Sequence, residues 1–322
     1  MKNLANCKIF FFGTSFFSEK IISHLANHLP IALLVTMPDK PVGRKKIITP
    51  PPIKQWALKN KLPVKQFFNI DQNALSFFEK EQPDLIIVAS YGLILPNKLL
   101  SIPRFGCVNI HPSLLPKHRG ATPIQTTLLN GETETGTTIM LMDKTMDTGD
   151  ILTQNKILIS SLDNFITLQN KLIAATNQII LPTLEKWIQG KIIPQPQNHH
   201  QATYTKLIKK NDGLIDWQQP AKKILNQYRA FYKWPQVFSF WQDKRIILEE
   251  ISFSSSNPLL APGEIKQKSE KIFVGTATRS IQLKKIRPEG KSTMSIEDFT
   301  RGTANFIDSR RSEEHTSELQ SR

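Results

Sequence analysis

The chain has 322 residues and carries 42 Lys and Arg against 27 Asp and Glu, a formal net charge of +15 at pH 7. Hydrophobic residues make up 39% of it, and no apolar run approaches the roughly 20 residues needed to span a bilayer, so a soluble, cytoplasmic protein without a membrane partner is expected, long enough for two domains and a large core. Its two cysteines, Cys7 and Cys107, both fall in apolar strand patterns, which excludes a disulfide framework and fits core thiols in a reducing compartment.

Residues 7–12 form an apolar strand that ends in Gly13-Thr14, and Phe17, Ile21, Ile22 and Leu25 follow at helical spacing. Strand, glycine, helix is the opening of a doubly wound α/β unit; with only one glycine it is no dinucleotide fingerprint. A second strand over 31–36 runs into a proline-rich basic loop containing Arg44, Lys45 and Lys46, which reads on its own as a solvated surface loop. Short helices are predicted over 53–60 and 73–81. The strand 84–89 is continuously apolar, as when both faces of a parallel sheet are covered. The polar-aromatic turn after it, with Tyr91, Leu93, Ile94 and Leu95, is placed to wall a pocket.

The stretch 106–150 concentrates the chemistry. From Cys107 to His111 the pattern alternates, so Val108 and Ile110 point one way while Asn109 and His111 stand side by side on the other. Cys107 shares their face by the same alternation, and a thiol next to the pocket stays open. A helix over 123–130 is marked by Thr122 as its cap, Pro123 at its first position and Gly131 after its end. A strand over 137–142 then leads to the polar turn Asp147-Thr148-Gly149-Asp150. Ends of strands in an α/β sheet are where ligands bind. Amide, imidazole and carboxylate together suit acyl transfer: the amide stabilises an oxyanion, the imidazole moves a proton, and the carboxylate orients or balances it.

A long amphipathic helix beginning at Phe165 closes the first domain, predicted over 1–189. The polar, proline-bearing stretch 190–203 reads as a linker, with His199 and His200 as linker histidines rather than metal ligands. From 204 to 310 short strands at 237–241, 245–249, 272–275 and 281–286 suggest a small, basic barrel or sandwich. Residues 311–322 (RSEEHTSELQSR) read as a non-native tail resembling a translated sequencing adapter, and are set aside.

Several fragments in order and at fixed spacing resemble the folate-dependent formyltransferases: N-I-H-P-S-L-L-P at 109–116, R-G-A-T-P-I-Q at 119–125 and D-T-G-D at 147–150. R-G-A-T-P-I-Q, E-T-G-T-T-I-M-L-M-D at 134–143 and D-T-G-D-I-L at 147–152 are similar to the branch that formylates methionyl-tRNA, and Y-G-L-I-L-P at 91–96, D-G-L-I-D-W at 212–217 and R-A-F-Y-K-W-P at 229–235 resemble further segments of it. The resemblance implies a doubly wound, mostly parallel sheet (a formyltransferase-like Rossmann variant) with a smaller C-terminal OB-like β-barrel that holds tRNA. It implies 10-formyltetrahydrofolate as co-substrate, no metal, methionyl-initiator tRNA as acceptor, and a monomer. Asn109, His111 and Asp147 match the catalytic trio. Tyr91, Leu93, Ile94, Leu95, Ser113, Leu114, Leu115 and Pro116 match the folate segments. Arg44, Lys45 and Lys46 match a basic loop beside the acceptor stem, and Lys209 and Lys210 add to the basic second domain. Pro112 departs from the glycine often found there in the tRNA branch, and is shared with glycinamide ribonucleotide formyltransferases, which lack a basic second domain. Trp234-Pro235 is expected to be a packing anchor rather than a base-stacking platform.

Overall fold

The computed structural model describes residues 3–43 and 45–307. Arg44 and the tail 311–322 therefore lie outside the described residues. The chain forms two compact units: one holds the residues up to Ile124, Thr133–Ser161 and Thr167–Lys206, and the other holds Gln125–Glu132, Leu162–Ile166 and the residues from Leu207 on.

The first unit is built from β1 (Ile9–Gly13), α1 (Phe16–Leu25), β2 (Ile31–Thr36), β3 (Lys40–Val42), β4 (Ile47–Thr49), α2 (Pro52–Lys59), β5 (Val64–Gln66), α3 (Gln72–Glu81), β6 (Leu85–Ala89), α4 (Asn97–Leu100) and β7 (Cys107–His111). β8 (Glu134–Leu141), β9 (Ile151–Leu158) and α6 (Phe165–Ile188) follow, while α5 (Pro123–Asn130), between β7 and β8 in the chain, falls mostly in the second unit. Seven strands make one sheet in the order β5-β2-β1-β6-β7-β8-β9, parallel from β5 to β7 and antiparallel beyond. The chain leaves β1 toward β2 on one side and returns to β6 on the other, so the strand order reverses there. That reversal opens a crevice at the C-terminal strand ends.

The central strands read as unbroken apolar runs because both faces are covered. Phe10, Phe12, Leu33, Val35, Ile86 and Val88 pack with Phe78 of α3 and with Tyr91 in one buried cluster, where each large side chain contributes about 2 kcal/mol by leaving water. Gly13 is needed for close packing: a Cβ there would lie 2.5 Å from the Cβ of Ser18. Ser15 caps α1 by accepting the Ser18 N–H, and the Ser18 hydroxyl donates to the carbonyl of Ala89, which ties helix to strand end.

Three elements depart from the sequence reading. The basic loop is a two-stranded hairpin, β3 with β4, because Pro41-Val42 and Ile47-Ile48 supply an alternating pair on either side of the turn. β9, unforeseen, pairs along the whole of β8 and turns the sheet edge antiparallel. The stretch expected to be a linker packs within the first unit: Gln195 exchanges backbone hydrogen bonds with Ile151, and Arg119 bonds to the backbone of Thr203 and Thr205.

In the second unit, α7 (Ala221–Ala230) precedes β10 (Phe238–Trp241), β11 (Lys244–Ser252), β12 (Ile265–Lys268), β13 (Lys271–Val274), β14 (Ile281–Pro288), β15 (Met294–Ser295) and α8 (Ile296–Arg301). These strands form one antiparallel sheet along β10-β11-β14-β13-β12, with β15 on β14. Trp217 is buried and donates its indole N–H to Ser239, while Trp241 meets the rings of Phe299 and Phe306 edge-on. α7, absent from the sequence reading, buries Ala221, Ile224 and Ala230. Trp234 is 53% exposed, so the anchoring role expected of it falls to buried Pro235 and Phe231 instead.

Candidate active site

β7 ends at the crevice with Asn109 and His111 both buried and pointing to the same side. The turn after β8 brings Asp147 back to them. Asp147 Oδ1 lies 3.4 Å from the Asn109 amide nitrogen and Oδ2 lies 3.6 Å from His111 Nδ1. The Gly120 N–H donates to Asp147 Oδ2 at 2.7 Å, fixing the carboxylate from a third direction. Asp147 itself has φ 56°, in the left-handed region that aspartate tolerates better than most residues.

His111 Nε2 lies 2.9 Å from the carbonyl oxygen of His118. A carbonyl only accepts, so Nε2 carries a proton and Nδ1 is the ring nitrogen that faces Asp147. Imidazole and carboxylate thus face each other across 3.6 Å.

A cavity of about 440 Å³ opens on these groups, of a size suited to a drug-sized or cofactor-sized molecule. Its wall includes Tyr91, Leu93, Ile94 and Leu95 from the turn after β6, and Asn109, His111 and Asp147. Pro112, Gly120 and Ala121 also line it. The Tyr91 hydroxyl is buried without a hydrogen-bond partner among the described residues, and burial pushes its pKa up to about 12, so it remains a donor.

Ser113, Leu114, Leu115 and Pro116 do not line this cavity. They turn instead toward β8 and β9, where polar strand residues hold their backbone. The Ser113 hydroxyl donates to the Lys117 carbonyl, Leu114 packs against Gly136, the Leu115 N–H donates to Thr138 Oγ1, and the Leu115 carbonyl accepts from Gln154. Cys107 is also away from it, in the core cluster beside Ile86 and Phe10. Lys45 and Lys46 are exposed at the tip of the β3–β4 hairpin, and Lys209 and Lys210 are exposed at the start of the second unit. Among the other basic residues of that unit, Arg287 pairs with Glu249, Lys285 with Glu250, and Arg229 donates to the Asp163 carbonyl.

Sequence reasoning missed Arg119 and Gln197. Both are buried, and they bond to each other beside the Asp147 turn. Arg119 opens the R-G-A-T-P-I-Q run, whereas Gln197 sits in a polar stretch with no periodicity to mark it.

Two family models divide the chain between them: formyl transferase matches residues 6–184, and formyl transferase, C-terminal domain, matches residues 207–304. The methionyl-tRNA formyltransferase of Thermodesulfovibrio yellowstonii is 41% identical over 296 residues, covering 91% of this chain and 95% of that protein. The one from Caldicellulosiruptor saccharolyticus is 41% identical over 302 residues, covering 91% and 96%. The chain belongs to the formyl transferase family, on its methionyl-tRNA formyltransferase branch. Among solved structures, HypX from Aquifex aeolicus in complex with tetrahydrofolic acid shares the fold at a TM-score of 0.64 and 16% identity, over 94% of this chain and 48% of HypX. The N-formyltransferase from Helicobacter canadensis, in complex with folinic acid and dTDP-3-aminofucose, shares it at 0.64 and 19%, over 86% and 98%.

Proposed function

We infer that this chain transfers the formyl group of 10-formyltetrahydrofolate to the α-amino group of methionyl-initiator tRNA, acting as a monomer in the cytoplasm, with Asn109, His111 and Asp147 carrying the chemistry. What supports this most is the convergence of three residues, separated by up to thirty-eight positions, on one cavity: the Asn109–Asp147 contact alone closes that span. Homology to relatives named for the activity points the same way.

The α-amino group of an aminoacyl ester is less basic than a lysine amine and is substantially neutral near pH 7, so it attacks the formyl carbon without prior deprotonation. Negative charge then grows on the formyl oxygen. The Asn109 amide and the His111 imidazole, both buried side chains at the cavity wall, are positioned to stabilise it. The attacking nitrogen must lose a proton and N10 must gain one for the C–N10 bond to break, so no net proton is taken up. Asp147, directly or through water, accepts the first proton, and its pairing with His111 returns one to N10. Tyr91, Leu93, Ile94 and Leu95 hold the folate as the apolar wall of the cavity. Residues 113–116 act behind the site, setting the position of the loop that carries His118 and Gly120.

Lys45 and Lys46 at the hairpin, with Lys209, Lys210 and Arg44 of the basic sequence run, meet tRNA phosphates, which positions the acceptor end without reading sequence. The test is an acceptor competition: formyl transfer from 10-formyltetrahydrofolate to charged initiator tRNA, elongator methionyl-tRNA, glycinamide ribonucleotide and a dTDP-amino sugar. Initiator methionyl-tRNA should dominate. Preference for the ribonucleotide or the sugar would overturn the reading.

A further inference from the structure

Gln197 is 5% exposed and Arg119 is 1% exposed. Arg119 Nε and Nη2 both donate to Gln197 Oε1, at 3.2 and 2.7 Å. The other end of the same amide, Nε2, donates to the carbonyl of Asp147 at 3.0 Å and to that of Gly149 at 2.8 Å. Donors on one side and acceptors on the other leave only one orientation for the amide. The guanidinium has further contacts: Nη1 donates to the Tyr204 hydroxyl at 3.3 Å and Nη2 lies 3.1 Å from His199 Nδ1.

We propose that Gln197 is a positioning residue for formyl transfer, a clamp that holds the backbone of the Asp147 turn while Arg119 holds the clamp. The geometry closes a loop. Gly120, the residue after Arg119, donates its N–H to the Asp147 carboxylate, and the side chain of Arg119 reaches the Asp147 carbonyl through Gln197. Side chain and main chain of Asp147 are therefore fixed from one short segment. Gln197 is itself anchored on both flanks, since Gln195 pairs with Ile151 just past the turn, and Thr203 and Thr205 pair with Arg119. Its carbonyl partners belong to a turn in which Asp147 has φ 56°, a conformation that surrounding contacts must maintain. Gln197 also lies between the two family models, in a stretch that neither covers.

The inference rests on the reading of Asp147 as a group that acts in the reaction. The two are separable. An active Asp147→Asn would sink that reading, whereas an inactive Asp147→Asn beside an unimpaired Gln197→Glu would sink this inference alone.

Gln197→Glu is the informative variant. It keeps an oxygen for Arg119, now with an ion pair, but sets a carboxylate oxygen against two carbonyls in place of a donor. A clamp predicts that kcat falls by about one to two orders of magnitude, with KM for 10-formyltetrahydrofolate and for methionyl-tRNA within about threefold of the parent and the unfolding midpoint not lowered. Gln197→Leu, which removes both halves, should lose kcat at least as far and lose thermal stability as well. The inference is overturned if folded Gln197→Glu retains kcat within about twofold, or if activity across the two variants simply follows the folded fraction.

Discussion

Cys107 and Asn109 are two residues apart on β7 and share a face, yet only Asn109 reaches the cavity. The difference is position along the strand: Cys107 pairs level with Ile86, deep in the sheet, whereas Asn109 pairs level with Val88 at the strand ends. Burial pushes the Cys107 thiol up to about 12 from an ordinary 9.0, and no charged partner offsets it. The native thiol thus keeps its proton where the unfolded one has lost it. Bound protons are then fewer in the unfolded state, so this group subtracts stability as pH rises through about 9 toward 12. Alkylation of Cys107 at pH 9 should proceed in urea and be nearly absent in the folded protein. Fast native labelling, located by peptide mapping, would put the thiol in the cavity after all.

At the scale of elements, the turn between β8 and β9 is the one that position and chemistry share. Gly149 is required there because a Cβ would stand 1.9 Å from the Leu141 carbonyl oxygen. Backbone cannot yield as a side-chain tip can, so Gly149→Ala must displace the turn that carries Asp147. Steady-state kinetics should show kcat lowered by at least about tenfold with folate binding nearly intact, since the cavity wall at 91–95 is untouched. Unchanged kcat would mean that the turn tolerates the shift. This element was half legible in the sequence. The alternation in Cys107–His111 and the polar D-T-G-D run are local signals that put Asn109, His111 and an acidic turn at strand ends, while the choice of Asp147 within that turn came from the spacing shared with the formyltransferases. β9 was not legible, because Gln154, Asn155 and Lys156 interrupt its apolar pattern where it forms the edge of the sheet. The hairpin at Lys40–Thr49 was hidden by its proline and lysines, which mark edge strands as readily as loops.

For the molecule as a whole, the net charge of +15 said little without motifs, and part of the expected basic surface is spent on ion pairs within the second unit. What remained legible was the order of elements: apolar strands alternating with helices, then short strands separated by turns, give a mostly parallel sheet and an antiparallel one. Contacts such as Arg119 with Gln197 were not, because they join distant segments and leave no periodic trace. The account stands on Asn109, His111 and Asp147 acting together on one formyl group. Single-turnover formyl transfer to methionyl-initiator tRNA by Asn109→Ala, His111→Ala and Asp147→Asn, with tRNA affinity measured on the same preparations, tests it most directly. Each substitution is predicted to slow transfer by about a hundredfold or more while tRNA affinity stays within about threefold. Near-normal transfer by any of the folded variants, or a loss of tRNA binding that matches the loss of rate, would contradict it.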